Sequence, residues 1–475
     1  MSHRTTRREF LKAGTMAGAG LLVLRSGILK AGQSPNDKLN IAVIGLGDRG
    51  MSNLGDVGSE NIVALCDVNE KTLAKAAQKH PKAKTYIDWR KCLDQKDIDA
   101  VVCSTTDHTH AFINVWAMNR GKHVYCEKPL ANSVHEARVV RETYLKNKDK
   151  LATQMGTQIH ATENYRRVVE LVRRGAIGTV KDVRVWCSRV PKGGSYLPAV
   201  EPVPKDVNWD LWIGPAQFHP YNPAYFKGGF LSWNRFWDFG CGQIGDMGSH
   251  LMDLAYWALD LRFPTTCEAQ GTPISPDTCP EWLTVKWDHP ANDWRPAVEV
   301  YWYDGGKKPG MPSKIFSRDE LFKGILFTGD KGYLLADYGF RVVMSMGDMT
   351  HYKPPKSDEL IPPSKGQHKE WINACKTDKQ TLCNFDYSGA LVEHNLLALV
   401  SYRLGREQEK DKEVVPSATK TEPATQPGTQ PKKEKEKYAA GKKLQWDAKT
   451  LKATNCPEAD QYIKTTYREG WTLDG

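Results

Sequence analysis

Three residues of this chain have the types and spacing to handle a proton. Lys128 stands in Glu127-Lys128-Pro129, and Asp246 and His250 close the run Gly240-Cys241-Gly242-Gln243-Ile244-Gly245-Asp246-Met247-Gly248-Ser249-His250. On a helix, positions i and i+4 share a face. A histidine there suits removal of a hydroxyl proton near neutral pH as hydride leaves the same carbon. The carboxylate one turn away can orient the imidazole or bind a neighbouring hydroxyl. Read alone, the pair is equally a helix cap beside a core histidine, and Glu-Lys-Pro a solvated turn. The chain around them decides between these readings.

Lys38 to Ile44 reads as a short buried strand, and Gly45-Leu46-Gly47-Asp48-Arg49-Gly50 follows at once, with a helix starting near Asp48. Strand, glycine turn and helix are what a dinucleotide site needs. The first glycine permits the tight turn, the second lets backbone approach a pyrophosphate, and the third lets helix and strand pack closely, with the helix N-terminus facing the phosphates. A second strand, 62–66, ends at Asp67, 22 residues after Gly45. An acid there accepts from both adenosine ribose hydroxyls and repels a 2′-phosphate, which favours NAD over NADP. Asp67 can also serve as N-cap of a helix over 70–79.

Alternation continues with strands at 101–104, 124–126 and 151–155 and helices at 108–119 and 133–146. That pattern predicts a doubly wound parallel sheet. It places Glu127-Lys128-Pro129 at the carboxyl end of a strand, the edge where ligands bind. Beyond Gly156 the texture changes. A helical stretch to Arg174 precedes strands at 180–187, 284–287, 298–303, 325–328 and 333–336, which predicts a second α/β domain on an open, mostly antiparallel sheet. Ten of the fifteen tryptophans fall between Trp186 and Trp302, most of them expected in core packing. Trp233, Arg235, Trp237 and Asp238, just ahead of the Asp246–His250 run, are weaker candidates for substrate contact. Helices at 368–376 and 387–403 close the body. The expected organisation is a leader 1–33, a Rossmann domain 34–155, a substrate and oligomerisation domain 156–406, a disordered, charged, Pro/Thr/Gln-rich insertion 407–440, and a tail 441–475 that folds back.

Taken together, Gly45-x-Gly47-x-x-Gly50, Asp67, His110 in Ser104-Thr105-Thr106-Asp107-His108-Thr109-His110, and Gly121-Lys122-His123-Val124-Tyr125-Cys126-Glu127-Lys128-Pro129-Leu130 resemble the glucose–fructose oxidoreductase/inositol dehydrogenase/rhizopine catabolism family, Gfo/Idh/MocA, over residues 38–406. The resemblance implies a nicotinamide cofactor along Gly45, Leu46, Gly47, Asp48, Arg49, Gly50 and Asp67, with Thr105, His110, Glu127 and Lys128 at the strand ends. It also implies catalysis by Lys128, Asp246 and His250, with Lys128 hydrogen-bonding the reacting hydroxyl. Set between a positive nicotinamide ring and apolar walls, that lysine should have a lowered pKa. The family often holds the peptide before the proline in cis. By the same resemblance a homodimer or homotetramer is expected. His108, His110, Asp246 and His250 could ligate zinc, but nothing in the spacing asks for a metal and none is expected.

Half of the formal charge of +10 sits in residues 1–33, and no concentrated basic helix suggests nucleic acid. The eleven cysteines are scattered without a C-x-x-C pair and read as small buried hydrophobes. Thr6-Arg7-Arg8-Glu9-Phe10-Leu11-Lys12 followed by an Ala/Gly-rich apolar stretch resembles a twin-arginine export signal. That stretch is too short for a permanent span, and the expected location is periplasmic or otherwise exported. The twin-arginine route carries folded proteins, so a cofactor can be loaded first. Outside the cytoplasm no reliable NAD pool regenerates it. An exported enzyme should therefore hold its nucleotide tightly and return the hydride. Three functions follow: an oxidoreductase on a CH–OH carbon of a sugar, polyol or glycoside; a redox-neutral, NAD-dependent glycoside hydrolase; or a non-catalytic carbohydrate-binding protein.

Overall fold

The computed structural model describes residues 37–227, 232–311, 321–377, 379–411 and 435–474. The expected leader, 1–33, lies outside them, as does the middle of the expected insertion. The described residues from Lys38 onward form one compact unit.

Six parallel strands make the first sheet: β1 (Asn40–Ile44), β2 (Asn61–Cys66), β3 (Lys84–Tyr86), β4 (Ala100–Cys103), β5 (His123–Cys126) and β6 (Thr153–Met155), in the order β3-β2-β1-β4-β5-β6. β4 is buried at every residue and β1 at all but Asn40. That is why they read as continuous Val/Ile/Ala runs, the mark of strands covered on both faces. The order reverses between β1 and β4, which opens a crevice at their carboxyl ends where Gly45 and Ser104 sit. Gly45 N donates to the Cys66 carbonyl and Ser104 N to that of Ile44.

The second sheet has eleven strands. Its path is β13 (Arg341–Ser345), β12 (Gly332–Ala336), β11 (Lys323–Gly329), β7 (Val180–Cys187), β10 (Val298–Tyr303), β9 (Leu283–His289), β8 (Thr266–Gly271), β15 (Lys435–Ala440) and β14 (Arg406–Asp411), with β16 (Leu444–Asp447) also on β8 and β17 (Lys452–Ala453) on β16. Only the β7–β10 pairing is parallel. Along β9 and β10 buried and half-exposed residues alternate strictly, so one face meets the core and the other is open. The Gly248–Leu259 and Phe385–Arg403 helices back the covered face and are buried almost throughout.

Two expectations change. The segment 407–440 begins and ends in paired strands, β14 against β15. Its composition cannot build a core, but a ladder of backbone bonds at a sheet edge needs none. Asp246 and His250 do not share one unbroken helix. Gly242–Asp246 ends at Met247, and Gly248–Leu259 starts anew. The Ser249 hydroxyl takes the Gly245 carbonyl at 2.6 Å, the carbonyl that an unbroken helix would offer to the Ser249 amide.

All eleven cysteines are free, and all but Cys375 are buried. Among the described residues no helix is long and apolar enough to cross a membrane.

Candidate functional site

A cavity of about 850 Å³ runs from the glycine turn, along the carboxyl ends of the first sheet, to the near edge of the second. This is the size class of a small-molecule or cofactor site. At one end Gly45 has φ +84°, and a Cβ there would lie 2.5 Å from the Ser104 carbonyl oxygen. A Cβ on Gly50 would lie 2.0 Å from the Gly45 oxygen, whereas nothing stands within 4 Å of one on Gly47. The first and third glycines are thus demanded by packing, and the second leaves bare backbone facing the cavity, as a pyrophosphate cradle requires.

Asp67 lies on the cavity wall. Its Oδ2 accepts from Leu46 N at 2.7 Å and its Oδ1 from Asn69 N at 2.8 Å. It is not the N-cap of Glu70–Lys79. Asn69 is, accepting from Lys71 N and Thr72 N. Asp67 instead ties the glycine turn to the end of β2, and each carboxylate oxygen keeps a further lone pair for a ligand hydroxyl. Burial pushes its carboxyl up.

The strand-end residues hold one another in place. Buried Glu127 accepts from Arg49 Nε at 2.7 Å and Asn53 Nδ2 at 3.0 Å. His110 bridges two loops, with Nδ1 2.6 Å from the Pro129 carbonyl and Nε2 3.1 Å from that of Thr105. Thr105 Oγ1 accepts from Thr109 Oγ1 at 2.7 Å. The Lys128–Pro129 peptide is cis. Cys103, His110 and Cys126 bring three possible metal ligands within 4.8 Å of one another, but both His110 nitrogens already face carbonyls. His108 is likewise occupied, by the carbonyls of Phe239, Trp212 and Ile213.

At the far end Lys128 Nζ donates to Asp246 Oδ1, and Asp246 Oδ2 accepts from Arg189 NH1 at 2.7 Å. One carboxylate thus serves two cations. Burial works against Asp246, but Lys128, His250 and Arg189 hold its carboxyl below the usual range. Lys128 departs from expectation. Burial does lower its pKa, but the adjacent Asp246 more than offsets that, and the net shift is upward. His250, two residues into its helix, has its pKa lowered to about 4, by burial first and then by the Lys128 charge. Its backbone carbonyl accepts from Tyr165 at 2.9 Å, while its Nδ1 is buried without a partner. Asp246 turns its two oxygens to the cations and makes no hydrogen bond to the imidazole.

Gln158, Arg189, Trp233, Phe322, Lys323 and Tyr338 complete this end. All but Trp233 escaped the sequence reading. Of the four weaker candidates only Trp233 reaches the wall. Arg235 lies over the Phe236 ring, Trp237 Nε1 donates to the Ser275 carbonyl, and Asp238 pairs with His219 at 2.7 Å. The chain doubles back after them, with Gly240 packed so tightly that a Cβ would sit 2.4 Å from Asn234 Cα.

Over the Asp67 side of the cavity lies a strap from the second domain. Asn208 N donates to the Val68 carbonyl at 2.9 Å, Glu70 N to that of Asp206 at 2.8 Å, and Asn69 and Val207 form a β-bridge. Val207, Leu211 and Trp212 of this strap line the cavity. The tail pins it from outside. Arg468 NH1 meets Asp210 at 2.6 Å, and Trp471 packs on Trp89 and Phe112.

Comparison with known proteins agrees with this division. Residues 39–155 match the Gfo/Idh/MocA model described as oxidoreductase family, NAD-binding Rossmann fold, and residues 184–292 match the companion model for the C-terminal alpha/beta domain. The chain is 30% identical over 145 residues to inositol 2-dehydrogenase of Salmonella typhimurium, covering 30% of this chain and 43% of that protein. It is 29% identical over 209 residues to a glycosyl hydrolase family 109 protein of Shewanella baltica, covering 37% and 44%. The chain thus spans less than half the length of these curated relatives. Among solved structures, the WlbA dehydrogenase of Bordetella pertussis, in complex with NADH and UDP-GlcNAcA, superposes with a TM-score of 0.53 at 15% identity, over 75% of this chain and 93% of that one. At that identity the likeness concerns the fold alone. Both domains are therefore similar to the models of one family.

Proposed function

We propose that this chain is a working Gfo/Idh/MocA oxidoreductase, moving a hydride to or from a CH–OH carbon of a sugar, polyol or glycoside. The observation that carries the reading is the joining of the two ends in one cavity: bare Gly47 backbone and Asp67 at one, Lys128, Asp246 and His250 at the other. The residues fit a dinucleotide, which when bound supplies the two-electron acceptor. The other roles fall to side chains. Lys128, kept cationic by Asp246, donates to the oxygen of the reacting hydroxyl and stabilises the negative charge that grows there. It is a poor base for the same reason. His250 is neutral from about pH 4 upward and lines the cavity beside Lys128, so its imidazole accepts the hydroxyl proton as the C–H bond breaks and the carbonyl forms. Asp246 positions Lys128.

The reading includes NAD in preference to NADP, through Asp67, and a nucleotide held between turnovers, which the strap over the adenosine side supports. It also includes export by the Arg7-Arg8 signal and pairing of copies through the open sheet. The strap and the similarity to a family 109 glycosyl hydrolase favour one second reading, a closed redox cycle on a glycoside with no net oxidation. The test is the nucleotide content of the purified protein after dialysis, followed by assays without added cofactor on sugar pairs and on glycosides. Close to one NAD per chain is expected. Released aglycone with no net NADH selects the hydrolase, and exchange between two sugars selects the oxidoreductase. An empty protein that turns over only with added nucleotide overturns the retained-cofactor reading. Turnover unchanged in Lys128→Met overturns the role given to Lys128, and carbohydrate bound with no turnover in any of these assays leaves only carbohydrate binding.

A further inference from the structure

We propose that the substrate carries an anionic group close to the carbon that reacts, and that Arg189 and Lys323 select an acidic sugar over its neutral counterpart. This rests on Lys128 and His250 marking the reacting end.

The residues come from three neighbouring strands. β7 and β11 pair with Cys187 opposite Lys323, and the Ser188 amide continues the ladder to the Phe322 carbonyl at 2.6 Å. Arg189 therefore leaves the end of β7 beside the start of β11. Tyr338 follows β12, the next strand along, and Lys323 Nζ stands 4.6 Å from its ring centre. All three line the cavity. Arg189 spends NH1 on Asp246, with its side chain 41% exposed. A guanidinium has five N–H donors and no acceptor, so it has more to offer. Lys323 makes a loose pair with Asp337 at 3.7 Å, and Asp337 is not on the cavity wall. The Tyr338 hydroxyl is buried without a partner.

The donor set is one-sided. A neutral sugar ring offers hydroxyls that both donate and accept, and a wall built for it mixes carboxylates and amides with donors. Here Asp246 is already shared by two cations, and Glu127 is held by Arg49 and Asn53. Asp107, also on the wall, has its carboxyl pushed to about 7 by burial. Among the described residues Gln158 is the one amide side chain at this end. The surrounding surface is Phe226, Trp233, Met247 and Phe322. Charged donors against an apolar wall suit an acceptor-only group, a carboxylate or a phosphate, which an arginine fork grips in two places. Because Arg189 and Lys128 share Asp246, the anion sits within one or two carbons of the reacting one.

The experiment is a substrate and binding panel on the holoprotein: glucuronate, galacturonate and glucose 6-phosphate against glucose, galactose and myo-inositol. It is read as reduction of the bound nucleotide and, independently, as calorimetric binding. An acidic member is expected to exceed its neutral counterpart by about 100-fold in kcat/KM. The uronates and the phosphate form separate arms that tell carboxylate from phosphate. Lys323→Met leaves the Lys128–Asp246 pair untouched and should cut that preference about tenfold, read as the ratio of acidic to neutral kcat/KM. Arg189→Gln should remove most of it. Equal rates and equal binding for acidic and neutral members overturn the proposal and leave the hydride reading intact. So does loss in both variants that leaves the ratio unchanged. Binding of acidic members without reduction of the nucleotide by any member supports the anion site and overturns the hydride reading instead. Neither binding nor reduction overturns both.

Discussion

The two ends of the cavity are built on different physics. The dinucleotide end is mostly backbone: Gly45 and Gly50 in van der Waals contact with main chain, Gly47 bare, and Asp67 held by two amides. Its shape is set once the strand, turn and helix form. The substrate end is mostly side chains, with Lys128, Asp246 and Arg189 sharing charge and His250 neutral beside them. Its properties depend on protonation and on partners brought from distant parts of the chain. The first end should fail by steric change and the second by chemical change.

The largest expected effect breaks the first end. Gly50→Ala drives a methyl group into the Gly45 carbonyl, and the purified protein should carry essentially no nucleotide by mass spectrometry. Full nucleotide content would show that the turn gives way and that the contrast is wrong. Next is Lys128→Met, which removes the donor to the developing negative charge. Single-turnover reduction should slow by about 10³-fold with nucleotide content unchanged. A joint loss of nucleotide would erase the separation between the ends. His250→Gln should cost about 10²-fold. The native acid limb, set by a pKa of about 4, should disappear from the pH–rate profile; if it persists, another group is the base. A smaller change is Asp67→Asn, which should weaken the preference for NAD over NADP by about tenfold, measured as a ratio of affinities.

The last effect concerns stability. His108, His123 and His250 are buried and lowered from 6.5 to about 4, so the folded state binds fewer protons than the unfolded chain between those values. Their contribution is fully present above pH 6.5 and is lost as pH falls through 4. His160 runs the other way. Burial opposes its charge, but Asp253 raises it to about 10, and its contribution holds below pH 6.5 and is lost as pH rises through 10. The buried carboxyls of Asp107, Glu136, Asp304 and Glu393, raised to about 7, act in the opposite sense over this range, so the test is a variant: His123→Gln should lose less melting temperature between pH 7 and 4.5 than the native protein. His160→Gln should flatten the alkaline side and leave the acid side unchanged.

The same contrast explains what could be read from the sequence. Gly45, Gly47, Gly50 and Asp67 belong to a strand, turn, helix and strand that follow one another along the chain, and Glu127 to Pro129 sit at a strand end that alternation alone locates. Lys128 has a partner 118 residues on, so the direction of its shift could not be read from its surroundings in the chain. Arg189, Lys323 and Tyr338 meet only because β7, β11 and β12 pair, and no local motif announces them. Arg235, Trp237 and Asp238 misled through nearness in sequence, where a reversal at Gly240 separates them from the cavity. The N-cap went to Asn69 because Asp67 was already engaged by the glycine turn.

If the nucleotide is retained as proposed, the strap would give the molecule two clocks. A dinucleotide held along Asp67 would leave when the Asn69–Val207 bridge and the Arg468–Asp210 pair open. Its residence time is then set by a local opening of the fold, while turnover is set by chemistry at Lys128. Exchange of bound for labelled nucleotide would then follow the opening and not the concentration of free nucleotide.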